Sequence, residues 1–235
     1  MKQIIAMGGG GFSMEPENPL LDLYILQQAH KPRPKVCFFP HATDDATRYA
    51  FRFFKAFAQL DCVPSTLSLY QTPPMQDMAG FLLNQDVIYV GGGNTKSMLA
   101  VWREWGVDAM LRQCYEAGVV LAGISAGANC WFEEYITDSA TPQLSALKNG
   151  LGFLPGSFCP HYDGEAERRP TYQRLIASGE VKDGLACDDD AAAHFIDGTL
   201  ARVVSSRAKA KGYTLRRVAN EFEEREIETH YLDEG

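Results

Sequence analysis

No stretch of this 235-residue chain approaches the roughly 18 consecutive apolar residues of a membrane-spanning helix, so no membrane span is expected. Positive charge is also scarce. The 22 lysines and arginines against 30 acidic residues leave a formal charge of −8, and no basic stripe marks a nucleic-acid surface. The acidic excess reads as solubility rather than as a clue to the substrate. The 21 glycines and 12 prolines form no linker-like run, and no internal repeat divides the chain, so one domain over residues 1–235 is expected. Cys37, Cys62, Cys114, Cys130, Cys159 and Cys187 lack metal-type spacing and sit beside apolar residues, as small buried thiols do. That fits a reduced, cytoplasmic protein with no bound metal. The opening MKQIIAMGGGG has too short an apolar run for a signal segment and reads as a first strand.

What is present is an alternation of short apolar runs with amphipathic stretches. Strands are expected at Gln3–Met7, Lys35–Phe39, Val63–Leu67, Val87–Val90 and Val119–Gly123, with helices at Leu20–Ala29, Tyr49–Gln59 and Val107–Ala117 between them. Strand and helix in turn predict an α/β fold, a mostly parallel sheet with helices on both faces. DVIYV and GVVLAG are apolar throughout, as central parallel strands are. After Pro155 shorter runs follow at Ser157–Cys159, Gly184–Cys187, Ala192–Ile196 and Ala201–Ser205, and these predict a short antiparallel C-terminal extension. Ligands of open α/β sheets bind beyond the carboxyl ends of the strands. The loops Gly8–Ser13, Pro40–Asp45, Gly91–Thr95, Gly123–Gly127 and Pro160–Glu165 should therefore converge on one rim.

Among those loops, Gly123-Ile124-Ser125-Ala126-Gly127 matches the G-x-S-x-G spacing of a nucleophile elbow, in which a tight strand-to-helix turn exposes a serine hydroxyl. Such a hydroxyl needs a base to take its proton. Of the five histidines, His30 and His230 read as surface residues and His194 as a sheet position. His161 follows an apolar run and a proline and opens a polar loop, which makes it the better base, with His41 second and able to line the pocket. An oxyanion hole needs backbone N–H groups, and YVGGGNT ends a strand in three glycines. The chain lacks G-x-x-x-x-G-K-[ST], and G-x-G-x-x-G fails at Ser13, so no nucleotide cofactor is expected. An acid to orient the histidine can come from Asp138 or from the run Asp188-Asp189-Asp190. Cys130 and Cys159 offer a thiol alternative, but the elbow position itself is serine.

Together YVGGGNT, GISAGAN and PHYD resemble the serine peptidase family of aspartyl dipeptidase (peptidase E) and cyanophycinase, and GGGGFSMEPEN and PHATDDA resemble its less-studied bacterial members. The resemblance implies a flavodoxin-like sandwich related to class I glutamine amidotransferases and a Ser-His-acid triad. By motif, Ser125 is then the nucleophile, His161 the base, and Gly93 and Ala126 supply the oxyanion hole. Gly92, Asn94, His41 and Arg169 are the expected substrate contacts. Asp189 falls where the family has a glutamate, one methylene longer, with Asp188 and Asp138 as alternatives. The implied activity is serine exopeptidase cleavage of short peptides, dipeptides of Asp-X type among them, through an acyl-enzyme. A cyanophycinase-like β-aspartyl peptidase and a non-catalytic binding protein on the same fold are the alternatives. The resemblance also hints at a homodimer.

Overall fold

The computed structural model describes residues 1–70, 72 and 75–233. Among these residues the strands fall into two sheets. The first has the parallel core β1 (Gln3–Met7), β2 (Lys35–Phe39), β3 (Val63–Thr66), β4 (Val87–Val90) and β5 (Val120–Ile124), in the order 1-5-4-2-3. The strands match the expected apolar runs because every residue of β1, β4 and β5 is buried. Their alternate side chains feed two cores, Ile4 and Ala6 on one face of β1, Ile5 and Met7 on the other.

The helices of this half are α1 (Gly11–Met14), α2 (Leu20–Gln27), α3 (Ala46–Phe57), α4 (Met78–Leu83), α5 (Thr95–Trp105) and α6 (Val107–Ala117). Three starts are set by side chains, that of α4 by Asp77, which accepts the Gly80 N–H at 2.8 Å. Asp45 accepts the Arg48 N–H at the head of α3, and Asn94 accepts the Ser97 N–H at 2.8 Å at the head of α5. α3 buries Phe53 and Phe57, which pack with Phe12, Phe38 and Tyr89 under the rim.

The C-terminal part is larger than a short extension. After α7 (Ala126–Asn129), a second sheet forms from β6 (Phe132–Thr137), β7 (Ser145–Leu147), β8 (Leu154–Cys159), β9 (Gly184–Cys187), β12 (Gly212–Val218) and β13 (Glu221–Ile227), while α8 (Arg168–Ser178) packs on its outer strands. β10 (Ala191–Ile196), antiparallel to β1, β11 (Thr199–Ser205) and β14 (Thr229–Tyr231) extend the first sheet to eight strands. The sheets share apolar contacts. Phe132 stacks on Phe158 at 4.8 Å between ring centroids and meets Phe195 of β10 edge-on at 5.8 Å. The mostly parallel first sheet with its helices is the α/β arrangement expected, and it sets the β5 turn beside loops from both sheets.

Candidate active site

β5 ends in a turn that few sequences could make. Ser125 has φ 54° and ψ −112°, a conformation that costs a non-glycine residue about 1–3 kcal/mol. Its N–H is tied to Met7 O at 3.1 Å, and its C=O accepts the Ala128 and Asn129 N–H groups that begin α7. A Cβ on Gly123 would overlap the Gly127 carbonyl, and one on Gly127 would overlap the Val90 carbonyl. The two glycines of the motif therefore let three backbones close up beneath the serine. Ala126, as first residue of α7, has an N–H with no intrahelical acceptor.

Beside it runs the loop after β4. Gly93 has φ 133°, and a Cβ there would strike the Ala42 carbonyl. The Gly92 N–H donates to Tyr49 Oη at 3.1 Å, and a Cβ on Gly92 would sit 3.3 Å from the Ser125 Cβ. Asn94 has a structural role here. It caps α5, and its amide nitrogen donates to Ser139 O.

His161, two residues beyond β8, also has a positive φ, 53°. Its Nδ1 lies 2.6 Å from Asp189 Oδ1, the geometry of an imidazole N–H donating to a carboxylate. The Asp189 carboxylate fits a slot between backbones: a Cβ on Gly9 would overlap its Oδ1, and one on Gly164 its Oδ2. This close approach is how an aspartate reaches the ring. The alternatives do not. Asp188 turns away, its carboxylate accepting the Lys211 N–H at 2.9 Å and facing the Tyr213 hydroxyl, and burial raises it to about 6. Asp138 is exposed past the end of β6 and does not line the cleft.

Ser125 and His161 line one open cleft of about 500 Å³ with Gly92, Gly93 and Ile124. The opposite wall consists of Ser13, Met14, Thr43, Asp45, Arg48, Tyr49 and Arg52. Tyr49 braces that wall, sharing a 2.9 Å hydrogen bond with Ser13 Oγ while accepting from Gly92. Arg52 donates to Ser13 O, whereas the Arg48 guanidinium has no hydrogen-bond partner among the described residues. Ser13, Thr43 and Asp45 lie in loops expected at this rim, whereas Met14, Arg48, Tyr49 and Arg52 were not singled out from the sequence. A clue was present in α3, where Arg48 and Arg52 are four apart and so share a face.

Three expected substrate contacts do not line the cleft: Asn94, committed to α5 as above, His41 and Arg169. His41 is turned inward: Trp102 Nε1 donates to its Nδ1 at 2.9 Å, and its Nε2 bonds Leu67 O at 2.9 Å. Desolvation pushes it down to about 4, and it is a neutral core residue outside the cleft. Arg169 pairs with Glu224 and lies over the Tyr162 and Tyr213 rings, with centroids 5.2 and 4.9 Å from its guanidinium carbon. It too lies outside the cleft. The thiol alternative also fails on chemistry. All six cysteines are free and buried, and burial raises Cys159 to about 12 and Cys130 well above its ordinary value, so neither supplies a thiolate. Among the described residues, no three His, Cys, Asp or Glu side chains converge as a metal site, and no helix is long and apolar enough to cross a membrane.

Residues 4–203 match Peptidase family S51. The chain belongs to that family. An uncharacterized peptidase, YgaJ, of Bacillus subtilis (strain 168) is 56% identical over 232 residues, covering 99% of this chain and 100% of its own. Peptidase E of Pasteurella multocida (strain Pm70) is 27% identical over 180 residues, 72% of this chain and 74% of its own. Among solved structures, a peptidase from an acI-B1 Actinobacterium aligns with a TM-score of 0.65 at 14% identity over 97% of each chain. A putative peptidase E from Listeria monocytogenes EGD-e aligns with a TM-score of 0.58 at 18% identity, over 97% of this chain and 100% of its own. These two structures share the fold. The S51 chain described here is a serine-type peptidase.

Proposed function

We propose that this S51 peptidase cleaves short peptides, dipeptides above all, through an acyl-enzyme on Ser125. The observation that carries the reading is the His161–Asp189 pair at 2.6 Å opening into the same cleft as the strained Ser125 turn. In this mechanism His161 takes the Ser125 proton as Oγ attacks the scissile carbonyl. The developing oxyanion is held by the Gly93 and Ala126 N–H groups, which are fixed before the reaction begins. His161 then returns the proton to the leaving amine, and water repeats the sequence to release the acyl part. Asp189 holds the ring in the tautomer that leaves Nε2 free to act as base.

The cleft also bears on the substrate. Its wall carries two cations, Arg48 and Arg52, against one carboxylate, Asp45, which is engaged at the head of α3. A peptide bearing a carboxylate near the scissile bond matches that charge, and an Asp-X dipeptide is such a peptide. A β-aspartyl-arginine unit would bring its own guanidinium to a wall that already holds two. The role expected of Arg169 thus passes to Arg48, assisted by Arg52. The test is kcat/KM on Asp-X, neutral and β-Asp-Arg dipeptides. Asp-X should lead, and Arg48→Gln should cost it roughly 10- to 100-fold, the worth of one charge-assisted hydrogen bond. Neutral dipeptides should change by less than about 3-fold. Equal loss on every substrate, or preference for β-Asp-Arg, would contradict the assignment.

Residues 1–235 act in this reading as one catalytic domain, since the two sheets share apolar contacts. Six free thiols suit a reducing setting such as the cytoplasm. The net charge of −8 gives no reason to invoke a nucleic-acid partner. Sedimentation reads directly whether the chain forms the homodimer its resemblance hints at.

A further inference from the structure

Asp189 sits in a loop whose neighbours are also acidic. Asp188, Asp190, Asp163 and Glu15 gather around it, and mutual repulsion would splay the loop unless something opposed it. The opposing group is Arg207, just past the end of β11. Its Nη2 donates to Asp163 Oδ2 at 2.7 Å and to the Asp189 carbonyl at 2.9 Å, while its Nε donates to Asp190 Oδ2 at 3.0 Å. Asp163 Oδ1 in turn accepts the Asp189 N–H at 2.9 Å.

These contacts close a ring. The Asp189 N–H reaches the Asp163 carboxylate, that carboxylate reaches the Arg207 guanidinium, and the guanidinium returns to the Asp189 C=O. Both polar groups of one residue's backbone are thereby held by a single ion pair. Asp163 also lies two residues past His161, so the ring ties the histidine loop to the acid loop at one point. Asp190, with φ 67°, is held against the third bond, and Ser206 N–H donates to Asp190 O at 2.9 Å.

We propose that Arg207 is a positioning residue for acyl transfer, acting through Asp163 and the Asp189 backbone to keep the carboxylate on His161 Nδ1. This rests on the Ser125–His161–Asp189 reading above. A guanidinium suits the task because its planar fork donates in two directions at once, which an ammonium does not reproduce. Arg207 touches neither the cleft nor the reacting atoms, so its effect is on how often the imidazole is correctly held. A misplacement of about 1 Å at such a pair can cost roughly 100-fold.

The experiment compares wild type with Arg207→Met, Arg207→Lys and Asp163→Asn. Arg207→Met should lose roughly 10- to 100-fold in kcat with KM within about 3-fold, and Arg207→Lys should recover part of it. Asp163→Asn, which keeps an acceptor for the Asp189 N–H, should fall between them. The second readout is the downfield proton resonance of a His Nδ1–H bonded to a carboxylate, assigned by its loss in Asp189→Asn. It should move upfield or broaden in Arg207→Met. Should Arg207→Met not fold, Arg207→Lys and Asp163→Asn carry both readouts. Labelling by an organophosphonate separates the two levels of the claim. If wild type is not labelled at Ser125, the underlying reading falls. If wild type is labelled there, and folded Arg207 variants keep its labelling rate, kcat and resonance while only thermal stability drops, the positioning role alone is overturned.

Discussion

The two halves of the cleft are built by different means. On the serine side, Gly123, Gly127 and Gly93 let main chains pass within contact distance of one another, and the groups proposed to react are a hydroxyl and two backbone amides. On the histidine side, two loops are pulled together by side chains: Asp189 on His161, Asp163 on the Asp189 N–H, and Arg207 on the Asp163 and Asp190 carboxylates and the Asp189 carbonyl. Backbone packing among strands buried on both faces is rigid and local. A set of charged contacts between half-exposed loops can be loosened one contact at a time.

That contrast can be broken most sharply at Gly164. A Cβ there would overlap Asp189 Oδ2, so Gly164→Ala should push the carboxylate off His161. Activity should fall by roughly two to four orders of magnitude, the upper end being the cost of losing the triad acid's hydrogen bond. The loop is partly exposed, so the variant should still fold, and its circular dichroism should match wild type. Unchanged kcat would show that the carboxylate has room to spare.

A smaller effect tests the floor beneath the serine side. Asp22 is buried behind the Gly10–Phe12 turn, and its Oδ1 has no partner among the described residues. Burial raises it to about 7 from an ordinary 3.8, partly offset by the Phe12 N–H and the Tyr89 hydroxyl. Between about pH 4 and pH 7 the folded chain therefore keeps a proton that the unfolded chain has released. Stability falls as pH rises through that window and recovers as pH drops back. Asp22→Asn removes this term. Its Tm should exceed that of wild type at pH 8, with the gap closing towards pH 4. A gap that widens on acidification would mean the carboxylate is stabilising as an anion.

The smallest effect is expected at Arg169. Its guanidinium is committed to Glu224 and two tyrosine rings on the outer face of the second sheet. Arg169→Gln should change kcat/KM for Asp-X by less than about 3-fold, as loss of a half-exposed ion pair does. A large loss confined to acidic substrates would return the specificity role to α8.

The serine side was legible in the sequence because its determinants are contiguous. Small residues at 123, 126 and 127 and the glycines at 91–93 mark tight turns wherever they are met, and the apolar runs around them are the buried strands. His161 was legible as a polar residue opening a loop after an apolar run. The remainder depends on where side chains point. His41 and Arg169 lie in polar segments near strand ends or helix starts, yet one turns in to Trp102 and the other out to Glu224. Arg48 and Arg52 reach the cleft only because α3 packs its Phe53 face inward. The second sheet was hidden because α7 lasts a single turn before Phe132 begins a strand, where the alanines after Ser125 suggest a longer helix. Arg207 carries no local signal at all, since its partners are 17 and 44 residues away.

The central claim, that the hydroxyl at 125 is the nucleophile, is tested most directly by mass spectrometry after treatment with an organophosphonate. The account predicts one adduct per chain, on the peptide containing Ser125, absent from Ser125→Ala and slowed in Asp189→Asn. An adduct on another residue, or a Ser125→Ala enzyme that still cleaves dipeptides at the wild-type rate, would contradict it.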